Sequence, residues 1–363
     1  MRIICVTTWF PTETKPGLGA FTVRDLQAIA AQGHEVRVVH LVSPGVDDGS
    51  RELHHAGFPV RRIPMQPTNP LSILRAGRQL RRYLRGADVV HTMAISSLLP
   101  FVFTRPRLPW VHTEHWSGLT TPGTLPKWWQ ALLPAVRQVL RLPQVVTAVC
   151  EFLAAPIREI RGARSTAVVP CIVEPLAQVA PTPPPDGVLD LVSVGGLIER
   201  KDPLLAVATC AELNRRGLPT RLTWVGDGPL RQATAELAAA LGVEVRLLGS
   251  VDLAGVHAAL AQADLFFGPT RADNFFVSAA EALVAGRMVV VGATGGQGEY
   301  IDPDFGILVA EQDAAAYADA LQTMAARLEH TDAAAVAASI GQRFSAATVG
   351  AAYSRLYSDL TGN

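Results

Sequence analysis

Lysine is nearly absent from this 363-residue chain: Lys15, Lys127 and Lys201 are the only three. Chemistry that needs a lysine has few candidates, and none beyond residue 201. Cysteine is almost as scarce. Cys5, Cys150, Cys171 and Cys210 stand far apart with no Cys-x-x-Cys pair, which argues against a zinc site or a disulfide framework and for buried thiols in a reducing compartment. No segment reaches about 18 uncharged apolar residues, the length that reads as a membrane span. The first residues, MRIICVTTWFP, run straight into what reads as a buried strand, so no signal peptide is expected and the expected location is the cytoplasm. Net charge is missing too: 32 Lys and Arg balance 32 Asp and Glu, which excludes a uniformly basic nucleic-acid binder. What is present, 49% hydrophobic and 18% charged residues, fits a globular protein, and the length fits two domains of ordinary size.

The balance of charge conceals a split. Residues 1–175 hold 20 Lys and Arg against 11 Asp and Glu, and residues 176–363 hold the remaining 12 against 21. A basic half is joined to an acidic half. Along both, short β-branched runs alternate with helical stretches. Strands are expected at 3–7, 36–41, 88–91, 110–113, 145–149 and 167–169, with helices at 21–32, 71–84, 128–140 and 151–160. Continuous apolar strands separated by helices indicate a parallel sheet covered on both faces. The stretch 174–187, with Pro175, Pro181, Pro183, Pro184 and Pro185, supports neither a helix nor a central strand and reads as a linker. The alternation then restarts, with strands at 189–194, 221–225, 245–248, 265–267, 288–291 and 307–309 and helices at 203–215, 230–241, 254–261 and 278–285. The expected architecture is two doubly wound α/β domains: 1–173, the linker 174–187, 188–345, and a terminal helix within 346–363.

Two motifs point in misleading directions. Gly292, Gly295 and Gly298 follow a strand with the spacing of a dinucleotide fingerprint, yet too little chain follows for a nucleotide fold, and no Tyr-x-x-x-Lys pair can lie downstream. A phosphate-cradling turn remains open. Asp302-Pro303-Asp304 has the form of a metal-binding DxD, but its place between a glycine turn and a short strand suits a solvated proline turn.

Other residues form a coherent set. Asp273 falls on the loop before a helix that starts near residues 276–278, and Glu281 falls inside its first turns. The start of that helix offers backbone N–H groups and the positive end of a dipole, a ready anion site. Taken alone, Asp273 could simply cap the helix and Glu281 could be solvated. Upstream, however, the strand 189–194 runs into GGLIERKDP, placing Arg200 and Lys201 at a strand-to-helix loop, a natural grip for a diphosphate. VGDGP (225–229) and LLGSV (247–251) follow, again at strand ends, where the ligand crevice of such domains lies.

In this order, VGGLIERK, VGDGP, LLGSV, Asp273-x7-Glu281, EALVAGRMVV and GGQGEYI resemble the second domain of the retaining GT-B glycosyltransferases, particularly glycosyltransferase family 4. WFPTETKPGLGAF, HTEHWSG and VVPCIVE resemble that family's first domain. The resemblance implies two Rossmann-like domains facing a central cleft, with the last helix crossing back to the first domain. It implies that Glu281 binds the ribose hydroxyls of a nucleotide and Asp273 hydroxyls of the transferred sugar. Arg200 and Lys201 would bind the donor diphosphate as it leaves. Asn274, Phe275, Phe276 and Val277 would contribute backbone contacts, Gly17 and Gly19 would let a loop approach the phosphates, Gly196 and Gly226 would line the donor site, Leu248 would lie near the base, and His115 would face the sugar. Alternatives for His115 are a core residue or, with His112 and Glu114, a metal ligand. Two departures stand out: the first acid is Asp rather than Glu, and Gly196 occupies the place of a frequent arginine.

The implied reaction moves a sugar from a nucleotide-diphosphate sugar to an acceptor hydroxyl with retention of configuration and without a required metal or other cofactor. Acceptors implied are sugars, lipid-linked groups or small molecules of glycan, glycolipid or cell-envelope polysaccharide synthesis. An epimerase of the same shape and a sugar-nucleotide-binding protein without turnover remain alternatives. A phosphorylase would need one of the three lysines for pyridoxal phosphate. The basic half could meet an anionic membrane surface through residues 71–85, where Arg75, Arg78, Arg81, Arg82 and Arg85 crowd one helix, and residues 125–140, with Trp128 and Trp129. A solvated arginine helix and an ordinary core helix are the plainer readings.

Overall fold

The computed structural model describes residues 1–124, 126–184 and 187–362. Leu125 at the start of the predicted aromatic stretch, Pro185 and Asp186 in the predicted linker, and Asn363 at the end of the predicted terminal helix lie outside the described residues. The chain divides into two compact units, residues 1–172 together with 345 to the C-terminus, and residues 173–344.

In chain order the first unit comprises β1 (Arg2–Thr7), α1 (Ala20–Ala31), β2 (Glu35–Val42), β3 (Glu52–His55), β4 (Phe58–Pro64), α2 (Pro70–Tyr83), β5 (Val89–Met93), β6 (Trp110–Glu114), α3 (Lys127–Val136), β7 (Val145–Ala148), α4 (Glu151–Arg161) and β8 (Thr166–Val168). Its eight strands run in the order β3-β4-β2-β1-β5-β6-β7-β8. All pair parallel except β3, which lies antiparallel to β4 at the sheet edge. The hairpin β3–β4 is absent from the sequence expectation for a physical reason. ELHH is half-exposed and FPVRRIP carries two prolines and two arginines, so neither shows the continuous apolar run of a buried strand. The predicted helix at 128–140 also divides, α3 giving way to a 3-10 turn at Arg137–Arg141.

The second unit comprises β9 (Leu189–Val194), α5 (Pro203–Arg215), β10 (Thr220–Val225), α6 (Arg231–Leu241), β11 (Glu244–Gly249), α7 (Leu253–Ala261), β12 (Leu265–Gly268), α8 (Val277–Val284), β13 (Met288–Gly292), β14 (Gly306–Val309), α9 (Ala314–Ala325) and α10 (Ala333–Ile340). Its parallel sheet has the order β11-β10-β9-β12-β13-β14, the dinucleotide-binding order in which the chain reverses direction between the first and fourth strands. The reversal here falls between β9 and β12. Buried Arg287 donates to the carbonyls of Ala180, Pro181, Leu260 and Ala261, which fastens part of the proline-rich stretch to this unit.

The last helix, α11 (Ala346–Thr361), belongs to the first unit. Val349, Tyr353 and Tyr357 sit in one apolar cluster with Leu26 and Ile29 of α1 and Ile3 and Cys5 of β1. The four cysteines are buried as thiols rather than disulfides. Among the described residues no helix is long and apolar enough to cross a membrane.

Candidate functional site

At the reversal point of the second sheet, the loops leaving β9 and β12 are laced together. Thr270 Oγ1 and Arg271 N both donate to the Arg200 carbonyl, at 3.1 and 2.8 Å. Arg271 Nε also reaches Asp202 Oδ2 at 2.7 Å. The β9 loop is tied as firmly to the β10 loop: Gly195 N donates to Val225 O at 2.9 Å, Leu197 N to Asp227 O at 3.1 Å, and Trp224 Nε1 to Gly195 O at 2.8 Å. Gly226, in turn, donates to Gly249 O at 2.8 Å. GGLIERK, VGDGP and the end of β11 thus form one continuous rim.

This lacing brings Arg200, Lys201 and Asp273 together. Lys201 Nζ lies 2.7 Å and Arg200 Nη1 3.0 Å from Asp273 Oδ2, and Arg200 Nη1 also donates to Ala272 O at 2.7 Å. The other carboxylate oxygen accepts the Phe276 N–H at 3.2 Å. Asp273 therefore braces the start of α8 and holds both cations. Burial works to raise its carboxyl, and Lys201 and Arg200 outweigh that effect, leaving it below the ordinary value. For Lys201 the opposite holds: burial, with the like charge of Arg200, lowers the ammonium against the pull of Asp273. Its Nζ also sits 3.8 Å from the centroid of the Phe276 ring, a cation–π contact.

Backbone strain gathers in these loops. Among the described residues four non-glycine ones have positive φ, a conformation that side chains disfavour and that persists where surroundings impose it. Two of them, Asp202 (φ 51°) and Phe276 (φ 60°), flank the cation cluster, and a third, Ala94 (φ 70°), directly follows β5. The glycine turn after β13 is the support beneath. A Cβ on Gly295 would lie 1.8 Å from Asp273 O, and Gly296 N donates to Asn274 O at 2.7 Å. This turn, whose glycine spacing makes it a candidate phosphate cradle, buttresses the acid loop. Asp302, the first member of the DxD, accepts the Asp304 N–H at 2.9 Å in a tight turn.

The remaining predicted residues of this unit fall as follows. Glu281 is half-buried on α8, one turn in from Val277. Asn274, Phe275 and Phe276 are buried beside it, and Gly196 is half-buried on the rim. Leu248 is 48% exposed and lines a cavity of about 310 Å³ with Arg221, Thr223, Arg246 and α7.

In the first unit, Gly17 is exposed with open space around it, whereas Gly19 is buried at φ 68° and a Cβ there would meet Trp9 O at 2.1 Å. Only Gly19 requires glycine. His115 follows β6, and its backbone N–H donates to Glu114 Oε1 at 2.9 Å. The other Glu114 oxygen lies 3.2 Å from His112 Nε2, both side chains fully buried. His112 and Glu114 thus engage each other, and among the described residues no His, Cys, Asp or Glu cluster of three could hold a metal ion. A residue that sequence reasoning missed is Asp25 of α1, whose Oδ2 lies 3.6 Å from His115 Nε2. The four arginines of α2 and Arg85 just beyond it are exposed, and α3 leaves Trp128 at 56% and Leu132 at 50% exposure. It is not the ordinary core helix of the plainer reading.

Comparison with known proteins agrees with this geometry. Residues 189–327 match the family described as glycosyl transferases group 1, and residues 17–171 match the glycosyl transferase 4-like domain. No curated protein sequence matches the chain. Among solved structures, sucrose-phosphate synthase from Thermosynechococcus elongatus is similar over 100% of both chains, with 20% identity and a TM-score of 0.83. Anabaena HepE in complex with UDP and glucose is similar over 99% of this chain and 100% of its own, at 17% identity and 0.75. The catalytic domain of starch synthase IV from Arabidopsis thaliana, bound to ADP and acarbose, covers 99% of both chains at 13% identity and 0.71. With both units matched by glycosyltransferase domains and the fold shared end to end, the chain belongs to the GT-B glycosyltransferases of group 1.

Proposed function

We propose that this glycosyltransferase is a retaining, family 4 enzyme that takes its sugar from a nucleotide-diphosphate donor and needs no metal ion. The observation that carries the reading is the paired cation site, Arg200 and Lys201, at the reversal point of a sheet with nucleotide-binding strand order. The nucleotides in the HepE and starch synthase complexes support it.

In this reading the donor diphosphate meets Lys201 and Arg200 beside the N-terminal ends of α5 and α8. Glu281 holds the ribose. As the bond from the sugar's anomeric carbon to the diphosphate oxygen breaks, negative charge grows on that oxygen and is stabilised by groups already in place. Asp273 has both oxygens engaged by the protein, so it serves first to orient the two cations; the carboxylate retains lone pairs for a sugar hydroxyl. A carboxylate so engaged is a poor nucleophile, which favours front-face attack by the acceptor hydroxyl, the leaving diphosphate taking its proton. His115 faces the sugar. The acceptor is a hydroxyl of a sugar, lipid-linked or small-molecule substrate in glycan or envelope synthesis, used in the cytoplasm or at the inner membrane face.

Donor hydrolysis and transfer measured for the wild type, Glu281→Ala and Lys201→Ala test the assignment. Loss of turnover in both variants, with EDTA leaving the wild-type rate unchanged, is the expected result. Undiminished binding and turnover in the two variants would refute the site, and loss of activity in EDTA would refute the metal-free reaction.

A further inference from the structure

We infer that Asp25 and Tyr353 are positioning residues for His115, so that the last helix of the chain sets the orientation of a side chain in the candidate sugar site. The functional half of this inference rests on the reading of His115 given above. Asp25 is 2% exposed in the middle of α1, an unusual place for a carboxylate unless its partners require it. Two of those partners are His115, with Nε2 at 3.6 Å from Oδ2, and the hydroxyl of Tyr353 on α11. Phe21, one turn before Asp25, lies against the His115 ring with centroids 4.3 Å apart. Helix α1 thus supplies both the wall and the anchor for the imidazole.

The proton order behind Asp25 follows from the hydrogen bonds. Burial pushes His91 down to about 3, so its ring is neutral, with one donor and one acceptor nitrogen. Tyr357 Oη lies 2.6 Å from His91 Nδ1, and His91 Nε2 lies 2.7 Å from Thr113 Oγ1. Thr113 Oγ1 donates to Tyr353 Oη at 3.3 Å. Thr113 Oγ1 also lies 2.7 Å from Thr147 Oγ1, and a threonine hydroxyl whose one proton goes to Tyr353 must accept from both Thr147 and His91. His91 then carries its proton on Nε2 and accepts the Tyr357 hydroxyl at Nδ1. Tyr353, already accepting from Thr113, is left to donate to Asp25. Each proton points toward Asp25, whose carboxyl burial raises against the opposing pull of His115 and Tyr353; as a carboxylate it is the terminal acceptor. His115 Nε2 faces it at 3.6 Å, longer than a hydrogen bond, and an N–H there completes the order of protons. The imidazole is held as the Nε2-protonated tautomer, with Nδ1 as its acceptor nitrogen. A hydroxyl-bearing substrate would meet an oriented acceptor rather than a ring free to turn.

Nitrogen-15 imidazole spectra of the full-length, unliganded protein test the positioning independently of any reaction. The wild type is expected to show the His115 ring protonated at Nε2. Asp25→Asn is expected to convert that single tautomer into a mixture. Tyr353→Phe, which keeps the ring packing, is expected to shift the same resonances and carries the test if Asp25→Asn does not fold. A His115 ring protonated at Nδ1, or resonances unmoved by either variant, would overturn the inference. Donor turnover is measured beside the spectra. The expected result for Asp25→Asn is a fall in kcat of about tenfold or more with nucleotide affinity unchanged. A shifted tautomer with unchanged kcat would leave the positioning intact and refute the role of His115 in the sugar site.

Discussion

Lys201 occupies an environment that no other lysine of the chain shares. Its ammonium is buried between a carboxylate and an aromatic face, while Lys15 and Lys127 are exposed. Burial and Asp273 pull its proton affinity in opposite directions. Removing the anion leaves burial unopposed, so Asp273→Asn lowers the lysine further, and the protonated form is lost at a lower pH. The alkaline limb of the donor-turnover profile should therefore move to lower pH in Asp273→Asn. A profile that falls uniformly without moving would show that Asp273 acts on the sugar alone. Lys201→Ala should reduce turnover by roughly 10²–10³-fold, the usual effect of deleting one preorganised group that stabilises developing charge. Lys201 was legible in the sequence because it stands at a strand-to-helix loop, and Glu281 because Asp273-x7-Glu281 resembles a family motif. Asp25 was not: on α1 it looks like one more polar residue of an amphipathic helix. Its burial depends on α11, more than 300 residues later in the chain.

Among the elements, the loops leaving β9, β10 and β12 act as one part because each holds the next by its backbone. The turn after β13 supports them from below. Gly295→Ala would drive a methyl group into the Asp273 carbonyl, and relief requires moving the acid loop. We expect a loss of about 1–3 kcal/mol in stability, as for other overpacked sites, together with weaker nucleotide binding. Thermal melts and nucleotide titration check both, and unchanged affinity would mean that this turn does not set the position of Asp273. The alternation of parallel strands and helices was readable because buried β-branched runs contrast sharply with their surroundings. The hairpin β3–β4 lacks that contrast, being short, charged and at an edge. Helices α9 and α10 are rich in alanine, which marks no clear apolar stripe. The strand order itself was inferable only by analogy, since no residue pattern states which strand lies beside which.

For the molecule as a whole, the even charge balance hides halves of opposite sign, +9 over residues 1–175 and −9 over residues 176–363. The arginines of α2 and the exposed Trp128 and Leu132 of α3 belong to the basic half. If they meet an anionic membrane, the protein should float with vesicles containing acidic lipid at low salt and be released as salt shortens the Debye length to a few ångströms. A double Arg78→Glu, Arg82→Glu variant should lose that binding while keeping nucleotide affinity, and absence of flotation at low salt would rule the contact out. The acidic half makes a different demand, because in the proposed function it binds a diphosphate against its own overall sign. The local pair Arg200 and Lys201, set beside two helix N-termini, is the cationic feature proposed to meet it. Isothermal titration of UDP, ADP and GDP into the wild-type protein and Lys201→Ala is the direct measurement. Saturable binding of at least one of them, weakened about tenfold or more in the variant, is the predicted result. Equal affinity in both proteins, or no binding of any nucleoside diphosphate, would contradict the account.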